Sequence, residues 1–169
     1  MCRFRSIIVL KTGEVLSLEE SDSHSEIINE FSLKEGPLES RNFVKIEINP
    51  VSGSLFSKDW NNWKLSVDEV GTLPGWWLED EANLKDRCFQ NLEGFVDKVL
   101  KTGVVSGSLN LQGTAVKDLG KLEKVSHSLD LRGTAVKDLG NLKECGSLNL
   151  QGTKIIVPQG LIVREKVYK

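Results

Sequence analysis

Three groups of residues in this chain of 169 could carry chemistry or specific contacts. The first is Cys2. Removal of Met1 ahead of a small residue would leave a thiol beside a free amine, and such a residue can serve as nucleophile and base together. His24, with Asp22 close by, could orient or activate that thiol. No local signature supports the geometry, because the chain contains no G-x-S-x-G, no glycine-rich phosphate loop and no HExxH. The plainer reading has Cys2 leading the first strand and His24 in the cap of the first helix. No catalytic residue is therefore assigned; Cys2 and His24 are what an enzyme would have to use. The second group holds all four tryptophans, Trp60, Trp63, Trp76 and Trp77, beside Asp68, Glu69, Glu79, Asp80 and Glu81. Aromatic residues among acids suit a basic protein surface, with Trp76 and Trp77 as the candidate contacts. The plainer reading is core plus a clamp at a helix start, where acids also complement the helix dipole.

The third group emerges from self-similarity. Ser108 to Gly120 and Ser128 to Gly140 differ only by Asn110 against Asp130 and Gln112 against Arg132, and GSLNLQGT returns from Gly146. Leu109, Leu129 and Leu148 start equivalent positions, spaced 20 and then 19 residues. Inside a unit, Leu109 and Leu111 show the period of two of a strand, and Val116, Leu119, Leu122 and Val125 follow at spacings that suit a 3₁₀ or irregular return segment. Side chains between the leucines then form outward ladders: Ser108, Ser128, Ser147; Asn110, Asp130, Asn149; Gln112, Arg132, Gln151. Hydrogen-bonding groups at fixed spacing, broken by one Asp and one Arg, suit a protein surface better than a phosphate backbone. Asn110, Gln112, Asp130, Arg132, Asn149 and Gln151 are the candidate partner-binding residues; the plainer reading is a solvated strand face. Lys117, Lys121, Lys124 and Lys137 alternate with acids on the return side and read as a solubilising face.

The elements that must position these groups are legible in part. Phe4 to Leu10, a turn at Thr12-Gly13, and Glu14 to Leu18 read as a hairpin. Ser23 with Glu26 forms a capping box ahead of Ile27, Ile28 and Phe31, which share a helix face. Asn42 to Asn49 alternates as a strand, with Trp63 to Val67 as partner across the loop containing Gly53. Leu84, Cys88, Leu92, Phe95, Val96 and Val99 mark one helix from Glu79 to Leu100. The expected fold is an α+β N-terminal domain, residues 1–103, followed by a leucine-rich-repeat-type β-solenoid of about three coils, residues 104–169. Stacked coils need both ends covered. The preceding domain should close one, and Pro158, standing where earlier units have Leu119 and Leu139, marks a C-terminal cap.

The repeat resembles the leucine-rich repeat, L-x-x-L-x-L-x-x-N-x-L, over roughly residues 104–163, with Thr114, Thr134 and Thr153 in the place of that family's Asn. The resemblance implies protein binding through the strand face; a generic parallel β-solenoid is the alternative. The Met1-Cys2-Arg3-Phe4 opening, Trp63 to Asp68, Leu73-Pro74-Gly75-Trp76-Trp77 and the GSLxLxGTxV repeats together resemble small proteins of bacteriophage genomes. That resemblance implies an accessory or anti-defence factor acting on a host protein.

Charge is uneven: residues 1–100 hold 11 Lys/Arg against 18 Asp/Glu, a net −7, while residues 101–169 hold 11 against 6, a net +5. The total of −2 supplies no general attraction to nucleic acid or an anionic membrane. Three cysteines without CxxC spacing indicate reduced thiols, no metal site and no cofactor. The apolar run Ile7 to Leu10 is too short for a leader or a membrane span, so a cytoplasmic protein is expected. A non-catalytic module binding a host or phage protein is the leading reading, with dimerisation open. An enzyme built on Cys2, or a nucleotide or small-molecule binder at the domain junction, are the competitors.

Overall fold

The computed structural model describes residues 4–169. Strands β1 (Arg5–Leu10) and β2 (Val15–Leu16) form the expected hairpin. Its turn is closed by Gly13, at φ +82°, whose N–H donates to the Leu10 carbonyl at 2.8 Å. Helix α1 (His24–Glu30) starts at Ser23, whose side chain accepts the Glu26 N–H at 3.4 Å. Ile27 and Ile28 are buried, but Phe31 lies past the last turn and is exposed. Strand β3 (Phe43–Pro50) pairs antiparallel with β1, and after β4 (Ser52–Ser54) strand β5 (Trp63–Val67) pairs with β3, giving a sheet of order β2-β1-β3-β5. Alternation sends Ile8 and Phe43 to the α1 side, and Ile7, Val9, Val44, Ile46 and Ile48 to the other.

That other face is covered by a helix. The helix expected from Glu79 to Leu100 is α3 (Glu81–Thr102), and a short helix that was not expected, α2 (Gly75–Glu79), precedes it across Asp80. Leu84, Cys88, Leu92, Val96 and Val99 of α3 are buried at helical spacing against the sheet. Helix α3 ends at Gly103, left-handed at φ +69°, with its N–H on the Val99 carbonyl at 2.7 Å. Among the described residues, no helix is long and apolar enough to cross a membrane.

From Val104 the chain winds into a stack of about three coils carrying two parallel sheets. One consists of β6 (Val104–Val105), β9 (Lys124–Val125), β11 (Glu144–Cys145) and β13 (Ile162–Val163). The other consists of β7 (Leu109–Asn110), β10 (Leu129–Asp130), β12 (Leu148–Asn149) and β14 (Val167–Tyr168), while β8 (Ala115–Asp118) lies on the first coil's third side. The expected irregular return is thus a turn, Leu122 N–H to Leu119 carbonyl at 3.2 Å, followed by a second short strand. Leucines stack in register: Leu109 faces Leu129, and Leu129 faces Leu148. Each Thr of the repeat closes its own coil, with Oγ1 of Thr114, Thr134 and Thr153 donating to the carbonyls of Leu111, Leu131 and Leu150 at 2.9, 2.9 and 2.7 Å. The hydroxyl does not bridge neighbouring coils, as an Asn ladder would.

The first coil is closed by the α+β region. Strand β4 pairs parallel with β8, and the Leu55 N–H donates to the Asp118 carbonyl at 3.1 Å. One buried apolar cluster runs from Phe4, Ile46 and Leu92 through Val105 and Leu109 to Leu148 and Ile155, without a break at residue 103. The far end is barer: Ile156, Ile162 and Tyr168 are exposed.

Gly120 and Gly140 occupy equivalent left-handed positions, at φ +58° and +52°, which separates the seam from the repeat. A Cβ on Gly120 would sit 2.6 Å from the Leu55 carbonyl oxygen, whereas on Gly140 the nearest atom is 4.0 Å away. Gly140→Ala should cost about 1–2 kcal/mol from backbone conformation alone. Gly120→Ala should add about 1–3 kcal/mol of steric displacement at the seam. Urea denaturation of the two variants reads the difference; equal losses would mean the seam yields freely.

Candidate functional site

The α+β region and the outer face of the β7–β10 sheet enclose a cleft of about 620 Å³. Asp22, Ser23, His24, Ser25, Lys45 and Asp68 line it from one side, and Ser108, Asn110, Ser128 and Asp130 from the other. Two of the ladders meet the first helix here. Segment 20–21 is brought close because the first coil has Gly107 there, where a Cβ would stand 2.9 Å from the Glu20 carbonyl oxygen.

His24 is buried at the cleft floor. Its Nε2 lies 3.0 Å from the Ile46 carbonyl, which can only accept, so this nitrogen carries the proton. Nδ1 lies 3.2 Å from Asp68 Oδ2. A relay to a nucleophile would need Nε2 directed at it. Here Nε2 is committed to backbone, and the ring ties α1 to β3 and to the end of β5. Asp68 itself is placed by its N–H on the Lys45 carbonyl at 2.9 Å. Cys2 lies outside the described residues. Of the other thiols, burial pushes Cys88 up to about 12 and Cys145 up to about 11, which keeps both protonated and unreactive.

The cleft's charge is unbalanced. Asp22, Asp68 and Asp130 face a single lysine, and Lys45 Nζ is held by Glu35 at 2.5 Å. Burial, reinforced by nearby Glu26 and Glu47, raises the Asp22 carboxyl above its ordinary range. Asp130 is met bidentately by Arg132, with Nε at 3.0 Å from both carboxylate oxygens and Nη2 at 2.6 Å from Oδ2. Among the described residues, no group of three or more His, Cys, Asp or Glu is arranged to hold a metal ion.

The outward ladders have local duties. Oδ1 of Asn110, Asp130 and Asn149 accepts the backbone N–H two residues on, at 3.0, 3.1 and 3.2 Å, so each forms the turn at its strand's end. The pair that breaks the repetition, Asp130 and Arg132, is one ion pair. Gln112 and Gln151 are exposed, and Asn149 is half-buried away from the cleft lining. On the other sheet Lys124 and Arg164, from the rungs on either side, both pair with Glu144. Trp77 is fully buried and offers no surface; Trp76 is half-buried, its indole N–H donating to the Arg41 carbonyl at 2.9 Å. Trp63 packs on Phe4 and Trp60 on Phe89, so the tryptophans serve the core more than a surface.

Lys45 and Ser25 were not legible as site residues, and Asp68 was legible only as one of the acids beside the tryptophans. The available signal was strand register: Ile46 stands opposite Val67, which sets Asp68 beside Lys45 and within reach of the helix start. Comparison of the chain with family models, with curated proteins and with solved structures finds no match.

Asp22 yields a pH-dependent expectation. Its folded pKa is raised, so its cost to stability is present above that value and vanishes below the unfolded one. Asp22→Asn should therefore raise Tm at neutral pH, with the gain shrinking as the pH falls through the carboxylate range. A variant melting with wild type at every pH would show the carboxylate to be compensated.

Proposed function

We propose that this protein is a non-catalytic binding module that receives a basic side chain of a partner protein in the cleft between its α+β region and its first two coils. The observation that carries this reading is the cleft's lining: three carboxylates, two of them engaged by His24 and Arg132, with four serine hydroxyls and one amide, against a lysine engaged by Glu35. Acids half-sheltered from water in a concave site attract a guanidinium or ammonium group and pay less desolvation when it arrives with hydrogen bonds. The turn-forming bonds of Asn110 and Asp130 hold those groups in place before binding, which lowers the ordering cost. The cleft is large enough for a small molecule, but its walls are as much polar as apolar, whereas such pockets are chiefly apolar. The resemblance to phage-encoded proteins makes a host protein, or a component of an anti-phage system, the partner this reading favours.

A photo-crosslinking residue at Ser128, inside the cleft, should capture the partner in cells, while the same residue at Lys121 on the return side should not. Ser128→Arg, which fills the cleft with like charge for the ligand, should weaken the captured complex at least about tenfold. Equal capture from both positions, or unchanged affinity of the Ser128→Arg variant, would move the interface elsewhere.

A further inference from the structure

A second groove, sharing no residue with the cleft, runs between α3 and the first coil and encloses about 330 Å³. Arg5 lies in its wall. The guanidinium is fixed from three directions: Nη2 donates to Ser17 Oγ at 2.9 Å, Nε and Nη2 donate to Asn91 Oδ1 at 3.2 and 3.1 Å, and the Phe95 ring stacks 4.4 Å beneath it. All of these partners are neutral. Among the described residues, no carboxylate forms an ion pair with Arg5, although Glu19 lies in the same groove. Glu19 is instead taken by Lys98, whose Nζ donates to Oε2 at 2.5 Å. Burial is strong enough to pull Arg5 down to about 10.

A sheltered guanidinium is costly, and here the carboxylate that acts on it, Glu19, is shared with Lys98, so two cations face one anion, whereas a purely structural tie between β1 and α3 could be made by a neutral side chain. With Nε and Nη2 committed to Asn91 and Ser17, Arg5 keeps the two hydrogens of Nη1 for an anion's oxygen. Space is provided beside it, because a Cβ on Gly94 of α3 would meet nothing within 4 Å. Ser106 adds a hydroxyl from the first coil, and Lys98 a second cation once Glu19 is displaced.

We infer that this groove is an oxyanion site, in which Arg5, with Lys98 and Ser106, binds a phosphate or carboxylate group. Glu19 holds Lys98 in the empty site and competes with the incoming anion. This inference is independent of the cleft.

The test is a two-dimensional NMR titration of the full chain at constant ionic strength, with inorganic phosphate and, separately, acetate. Saturable shifts are expected at the Arg5 Nε–H and at the Gly94, Val104 and Ser106 amides, and the tighter probe identifies the anion class. Arg5→Gln should weaken binding about tenfold or more. Glu19→Gln should tighten it. Gly94→Leu fills the space in a helix it also favours, so it should abolish binding while the fold and the Arg5 bonds persist. Absence of saturation with both anions, or binding unchanged in Gly94→Leu, overturns the assignment.

Discussion

Everything in this molecule depends on how the first coil of the solenoid is closed. Its strands are two residues long in both sheets, so a rung contributes few hydrogen bonds of its own, and its apolar stripe is covered only by neighbours. Coils two and three have such neighbours on each side; the first has none of its own kind before it. The chain meets this need with three devices. Helix α3 delivers the chain into β6 through the left-handed turn at Gly103, whose carbonyl accepts the Glu123 and Lys124 N–H groups of the next rung at 2.7 and 3.0 Å. Strand β4 adds a hydrogen-bonded edge to β8. Phe4, Phe56 and Phe95 fill the space between sheet and coil.

Closing the coil in this way also creates the site. Once β4 is bound to β8, the β3–β5 edge and the start of α1 are carried alongside the outer face of the β7–β10 sheet, and residues distant in sequence meet across a cleft. His24 then has a tying role. By joining Ile46 and Asp68 it keeps the helix start at a set distance from the coils.

The repeat, the hairpin, the helix cap at Ser23 and the main helix could be read from residue order, because each rests on local periodicity or local hydrogen bonding, although the Ser23 N–H bonds Ser21 and not Glu26. Thr114 and its equivalents show how far that goes: the period located the coil, but only the structure shows the hydroxyl serving its own turn. The β4–β8 pairing could not be read. Ser52-Gly53-Ser54 has no strand pattern, and its partner lies more than sixty residues away. The cleft was hidden for the same reason, being a product of register and seam. The ladders at Asn110 and Asp130 were visible, yet their turn-forming role and the mutual pairing of Asp130 with Arg132 were not, since sequence spacing does not reveal which neighbour a side chain chooses.

A shared core makes the α+β region and the coils one cooperative unit. Native-state hydrogen exchange in low urea tests this most directly, by comparing backbone amides of β1 and β3 with those of β10 and β12. A common opening free energy, equal to that of global unfolding, is predicted for both sets. Coils that open well before the antiparallel sheet would contradict the shared core, and with it the fixed cleft that the proposed function requires.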